Sequence, residues 1–220
     1  ITQRTREPSE AFVHVCLKVC YMGCQVSADG SASMSDPIEK IRSTIRTVHD
    51  FPKPGVPFKD ITPVLSNPDV FQTVIDQLYL RYKDQNIQAI AALESRGFFF
   101  GVPLALQLRV PFVPIRKKGK LPFKTVRCEY ALEYGTDVIE MHIDALSPGQ
   151  RVVIVDDLIA TGGTLGAACK LVEQVGAIVV EAACVVELSE LEGRKKLEGR
   201  KIFCLVSYDK EYDGVKIENV

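Results

Sequence analysis

The sequence has no excess of either charge. Its 27 Lys and Arg are matched by 28 Asp and Glu, for a formal net charge of −1 at pH 7. Broad, non-specific nucleic-acid binding is therefore not implied, and any basic patch must be local. The chain also lacks a CxxC pair, and its seven cysteines (Cys16, Cys20, Cys24, Cys128, Cys169, Cys184 and Cys204) are odd in number. In a chain of 220 residues this argues against a disulfide framework and for reduced thiols in a cytoplasmic protein. No long apolar run is present. The longest mostly apolar stretch, Phe98 to Leu108, falls well short of the ~18 residues of a membrane span. Internal repeats and low-complexity tracts are missing as well. What remains is an ordinary globular composition, 46% hydrophobic and 25% charged. A chain of this size buries roughly 70% of its unfolded surface and needs no staples.

Residues 1–33 differ from the rest and are expected to be an extension outside the fold, with one domain over 34–220. A targeting segment is the alternative. Lys18 and His14 interrupt its apolar stretch, and Glu7 and Glu10 spoil a basic start. Cys16, Cys20 and Cys24 would share one helix face, an arrangement open to a soft metal. No fourth ligand is evident, so small apolar residues are the preferred reading.

From Met34 onward the pattern alternates between helix and strand periods. Ile38, Ile41, Ile45 and Val48 predict a helix, with Asp36 as N-cap and Pro37 at its first position. The prolines of residues 51–57 forbid helix there. Asn67-Pro68-Asp69 opens a second helix. Residues 87–93 form a strand, 98–108 a buried helix with Pro103 near its start, and 111–115 another strand. Residues 137–143 alternate as a half-exposed strand, and 151–155 are β-branched, as in a strand buried on both faces. Residues 164–175 are helical, 177–186 and 202–206 are strands, and a charged helix lies around Glu190 to Leu197. This alternation predicts an α/β fold: an open, mostly parallel central sheet with helices on both faces.

The chemistry concentrates in residues 152–164, VVIVDDLIATGGT. A buried strand runs into Asp156 and Asp157, and a small turn, Ala160-Thr161-Gly162-Gly163-Thr164, then opens a helix. Glycines let backbone approach an anion, and the new helix offers unpaired N–H groups. Ligands of open α/β sheets bind at the carboxyl ends of strands. The segment therefore reads as a phosphate cradle beside two acids suited to sugar hydroxyls or a magnesium ion. It has neither the lysine of a P-loop nor a GxGxxG fingerprint.

All thirteen positions resemble the phosphoribosyl pyrophosphate signature of the type I phosphoribosyltransferases. Four further segments resemble the adenine-specific branch of that family: FPKPGVPFKDITP (51–63), ESRGFFFG (94–101), RKKGKLP (116–122) and LEYG (132–135). The resemblance spans about Met34 to Tyr208 and implies the family fold with a small hood. It also implies purine salvage, in which phosphoribosyl pyrophosphate and adenine give AMP and pyrophosphate.

Residue roles follow from the resemblance position by position. Asp156, Asp157, Ala160, Thr161, Gly162, Gly163 and Thr164 bind the phosphoribosyl group. Ser95, Arg96 and Lys117 bind pyrophosphate, with the peptide bond before Ser95 often cis in the family. Val56, Pro57, Phe58 and Lys59 meet adenine, with Leu158 as the other wall. Glu133 handles the proton of the base, and Tyr134 helps close a lid. Relatives that take 6-oxopurines usually carry Asp at the position of Ala160, so the apolar residue here favours a 6-aminopurine. Mg²⁺ is the implied cofactor, held mainly through substrate, and a homodimer is the implied assembly.

Six of the twelve residues from Arg116 to Arg127 are basic. They are expected to form a mobile cationic lid over a polyanion. Nothing places His14, His49 or His142 as a catalyst. A non-catalytic sugar-phosphate regulator, or a transferase for another base, are the rival readings.

Overall fold

The computed structural model describes residues 36–131, 136–197 and 199–209. The described residues lie in one compact unit. The first helix among the described residues, α1 (Pro37–Thr44), begins as expected: Asp36 Oδ1 accepts from Ile38 N at 3.0 Å, with Pro37 in the first turn. It stops at Thr44, so Val48 belongs to a strand. That strand, β1 (Arg46–Val48), pairs antiparallel with β2 (Phe58–Asp60) in a separate two-stranded ribbon, the hood. A short helix that periodicity did not predict, α2 (Thr62–Ser66), follows. Helix α3 (Pro68–Tyr82) is capped by Asn67, whose side chain accepts from Asp69 N and Val70 N at 3.2 and 3.3 Å.

The main sheet comprises β3 (Ala89–Leu93), β4 (Phe112–Lys117), β5 (Thr125–Ala131), β6 (Thr136–His142), β7 (Arg151–Ile159), β8 (Ile178–Leu188) and β9 (Ile202–Tyr208). Its strand order is β5-β6-β4-β3-β7-β8-β9. From β4 to β9 neighbouring strands are parallel, while β5 and β6 form an antiparallel hairpin on one edge. Helix α4 (Arg96–Leu108) joins β3 to β4, and α5 (Gly163–Gln174) joins β7 to β8. The alternating residues of β3 and β7 feed two cores. Ile90, Ala92, Val153 and Val155 pack with α1, α3 and α4; Ala89, Ala91, Val152 and Ile154 pack with α5. This is the open, mostly parallel sheet with helices on both faces that the alternation predicted.

Other expectations change as well. Pro103 lies in the middle of α4, not near its start, and α4 is buried on one side only, with Phe99, Val102 and Leu106 exposed. β7 does not stop before its acids. It continues through Asp156 and Asp157 because β8 pairs with it as far as Ile159 opposite Glu187. The charged segment near residue 190 is not an α-helix but two 3₁₀ turns, Ser189–Leu191 and Gly193–Leu197, separated by Glu192 in the left-handed region (φ 50°).

Candidate active site

β3 and β7 diverge at their carboxyl ends. Their pairing ends at Ala92 opposite Val155, while the chain leaves β3 toward β4 on one side and β7 toward β8 on the other. Such a reversal opens a crevice in a parallel sheet. Helices α4 and α5 both begin at that crevice. Neither has a side-chain cap or an acidic residue in its first turn. Their N–H groups and positive dipole ends are thus available to anions. Gly162, with φ 76° and ψ −2°, makes the turn into α5; a side chain there would be strained in that conformation. The approach to α4 is equally tight, since a Cβ on Gly97 would lie 2.7 Å from Val155 O.

Two adjoining hollows result. One, of about 210 Å³, is lined by Arg96 and by residues 156–165. The other, of about 380 Å³, is lined by Ser95, Arg96, Lys117, Tyr130, Asp137, Asp156, Asp157 and Thr164, among others. The structure therefore brings together the expected phosphoribosyl residues, Leu158, Ser95, Arg96 and Lys117. The Glu94–Ser95 peptide bond is cis. Val56, Pro57, Phe58 and Lys59 line neither hollow, although Arg96 Cζ lies 5.8 Å from the centre of the Phe58 ring. The Lys59 side chain is buried in the hood, with Nζ donating to Thr47 Oγ1 at 3.0 Å and lying 4.1 Å from the Tyr208 ring centre. Glu133 and Tyr134 fall outside the described residues. His49 and His142 line neither hollow.

Electrostatics distinguish the acids. Asp156 retains some exposed surface, but its Oδ1 lies against the start of α4, 3.1 Å from where a Gly97 Cβ would sit. Burial, and then the Asp157 charge, push its carboxyl well above the usual range. Burial also raises Asp157, which is 3% exposed, while Arg96 opposes that rise. Glu94 does not face the anion site as a free acid. Its two oxygens take Nε and Nη2 of Arg116 at 3.0 Å each, and this hydrogen bonding lowers its pKa.

Sequence reasoning missed Tyr130 and Asp137. Tyr130 Oη donates to Asp137 Oδ2 at 3.2 Å, and Lys117 Nζ lies 3.4 Å from the same oxygen. The Val138 N–H hydrogen bond is the main cause holding the Asp137 carboxyl low. The period-two pattern of β5 and β6 could have flagged both residues, but only the hairpin's position over α5 brings them to the site. The basic stretch is not one continuous loop. Arg116 and Lys117 end β4, Thr125 to Arg127 begin β5, and the connection between them is tied where Gly119 N donates to Glu140 Oε2 at 3.0 Å.

Residues 60–217 match the phosphoribosyl transferase domain family. Adenine phosphoribosyltransferase 1 of Triticum aestivum is 56% identical over 172 residues, 78% of this chain and 95% of that protein. Adenine phosphoribosyltransferase of Roseiflexus castenholzii is 53% identical over 164 residues, 74% of this chain and 95% of its own length. The crystal structure of adenine phosphoribosyltransferase from Thermoanaerobacter pseudethanolicus superimposes with a TM-score of 0.75 at 53% identity, covering 78% of this chain and 99% of that one. The Saccharomyces cerevisiae enzyme, complexed with an imino-altritol bisphosphate and adenine, matches with a TM-score of 0.75 at 42% identity over 77% and 98% of the two chains. Sequence and fold agree: the chain belongs to the phosphoribosyl transferase family, among the adenine phosphoribosyltransferases.

Proposed function

We propose that this chain transfers the 5-phosphoribosyl group from phosphoribosyl pyrophosphate to adenine, giving AMP and pyrophosphate, in purine salvage. The observation that carries this reading is the convergence of two uncapped helix N-termini on one pair of acids. A ligand with an anion at each end and a polyhydroxylated centre fits that arrangement.

The sugar carbon loses an anionic leaving group through an oxocarbenium-like state, so the task is positioning and charge placement. Residues 160–164 anchor the 5′-phosphate, and that remote binding orients the reacting centre. Asp156 and Asp157 hold the ribose hydroxyls. Ser95, Arg96 and Lys117 take the pyrophosphate, the Arg96 fork through charge-assisted hydrogen bonds. Phe58 and Leu158 flank the base, whose amino edge is read by backbone of residues 56–59. Pro57 has no N–H to contribute, so its neighbours must. Glu133 moves the proton of the base's imidazole ring, with Tyr134 beside it.

Mg²⁺ fits this donor set as a substrate-borne ion. It would be held mainly through the substrate's own phosphate and hydroxyl oxygens, the hard donors it prefers, with Asp156 and Asp157 nearby on the ribose side. When bound, the ion offsets charge on the pyrophosphate. The protein is further proposed to be a homodimer, through the exposed apolar face that Phe99, Val102 and Leu106 present beside Phe71 and Leu65. Among the described residues no helix is long and apolar enough to cross a membrane, and Cys128, Cys169, Cys184 and Cys204 are free thiols. A reducing compartment such as the cytoplasm suits those thiols.

The test is conversion of adenine plus phosphoribosyl pyrophosphate to AMP in a single turnover, with and without Mg²⁺, against hypoxanthine and guanine as competitors. Mg²⁺-dependent AMP formation with adenine preferred is the expected result. Sugar-phosphate binding without turnover of any base would indicate a regulator, and preferred turnover of a 6-oxopurine a different transferase.

A further inference from the structure

The phosphate cradle has a back wall that neither the family signature nor the site residues above include. Behind the turn from Ala160 to Gly163 stands the 3₁₀ turn Gly193–Leu197, in close backbone contact with it. A Cβ placed on Gly193 would run into the Ala160 carbonyl and lie 2.9 Å from Ile159 Cγ1 and 3.0 Å from Gly162 N. The contact is reciprocal, because a Cβ on Gly162 would run into the Gly193 carbonyl and lie 2.9 Å from Leu197 Cδ1. Two glycine backbones therefore meet face to face, one of them belonging to the anion cradle.

Position 193 is anchored by its neighbour. Arg194 reaches Glu187 with both prongs, Nε at 2.5 Å and Nη2 at 2.7 Å, and donates from Nη1 to Ile202 O at 2.9 Å. Glu187 is 8% exposed and sits on β8 directly opposite Ile159 of β7, the last strand residue before the cradle. Ile202 begins β9. One guanidinium thus ties β8 and β9 to the segment that backs the cradle. A planar five-donor fork can hold all three bonds at once; an ammonium cannot reproduce that geometry. Leu197, fully buried between this turn and α5, pins the far end.

We propose that Gly193 and the Glu187–Arg194 pair are positioning residues for the 5′-phosphate: they set the shape of the Ala160–Gly163 cradle from behind and so tune its affinity for the sugar phosphate. This rests on the reading of that cradle given above. Arg194 lines neither hollow, so its effect travels through the Gly193 backbone and not by contact with substrate.

The test compares wild type with Arg194→Gln, Arg194→Lys and Gly193→Ala. It uses steady-state kinetics in each substrate, calorimetric titration with ribose 5-phosphate, and thermal melts. Arg194→Gln is expected to raise KM for phosphoribosyl pyrophosphate and Kd for ribose 5-phosphate about tenfold or more, with KM for adenine changing less than about twofold. Arg194→Lys should recover part of that loss, and Gly193→Ala should weaken ribose 5-phosphate binding more than Arg194→Gln does. Should Gly193→Ala not fold, the arginine variants decide, since the Arg194 side chain is 48% exposed. A purely structural role would lower the melting temperature and the active fraction while leaving KM and Kd unchanged, and that result overturns the proposal. Equal shifts in both substrates' KM values overturn it as well. Wild-type protein that neither binds ribose 5-phosphate nor forms AMP would remove the reading of the cradle and this inference with it.

Discussion

Arg96 Nε lies 2.9 Å from Asp157 Oδ2, joining a half-exposed guanidinium to a carboxylate whose side chain is 4% exposed. Burial raises the Asp157 pKa and Arg96 opposes it. The same guanidinium borders the Phe58 ring. One residue thereby touches an acid proposed for the sugar and the ring proposed for the base, while opening a helix whose N-terminus suits the pyrophosphate.

Replacing Arg96 should therefore be costly beyond the loss of a charge. Arg96→Lys keeps the charge and removes the fork. We expect kcat/KM for phosphoribosyl pyrophosphate to fall about 100-fold, in line with the loss of a charge-stabilising donor. Steady-state kinetics check this, and a value within threefold of wild type would remove the fork from the mechanism.

Glu133→Gln should leave substrate binding nearly intact and lower the single-turnover rate at least ~100-fold, because the amide cannot exchange the proton. An unchanged rate assigns the proton to another group.

Asp156 carries a stability cost at neutral pH. Its carboxyl titrates well above the usual 3.8, owing first to burial and then to the Asp157 charge. Between 3.8 and that raised value the folded state holds a proton that the unfolded chain has released. Stability from this group is therefore present at low pH and lost as pH rises through the window. Asp156→Asn should then melt at a higher temperature than wild type at pH 8, and at nearly the same temperature near pH 3.5. It should also bind ribose 5-phosphate more weakly. Melting curves at the two pH values suffice; a variant less stable than wild type at pH 8 would contradict the assignment.

Gly97 allows α4 to sit directly on β7, since a Cβ there would lie 2.7 Å from Val155 O and 3.1 Å from Asp156 Cα. Both neighbours are backbone, so the helix must move. Gly97→Ala should cost about 2 kcal/mol in urea unfolding, within the range for overpacked interiors, and should displace Arg96 enough to weaken pyrophosphate binding. Unchanged stability would mean that the helix shifts freely.

Leu106 is 74% exposed on the apolar side of α4. A carboxylate cannot be buried there without a partner. Leu106→Glu should convert a dimer to a monomer by sedimentation velocity at micromolar concentration. A wild-type monomer under the same conditions would end the dimer proposal.

Much of the site was legible because its signals are local. Asp156, Asp157 and the glycines that follow lie within a few residues of one another. A buried strand running into a new helix dictates where they sit. The same holds for Asp36 and Asn67, whose short side chains cap the helices they precede. The α/β class followed from the alternation of strand and helix periods, which reflects which faces of each element are buried.

What the sequence could not decide lies in pairings between distant segments. The length of β7 past its acids depends on β8, 28 residues along from Ile159 to Glu187. Tyr130 and Asp137 reach the anion site only because their hairpin lies over α5. The charged segment near residue 190 reads as a helix from composition, yet it forms 3₁₀ turns, with Gly193 pressed against Ala160 and Gly162. The sequence by itself determined most of the elements, the cradle and its acids, since each is specified by neighbours along the chain. Tertiary structure alone decided strand order, the meeting of Arg96 with Asp157 and the backing of the cradle by Gly193, because these depend on packing between parts of the chain that sequence periodicity cannot relate.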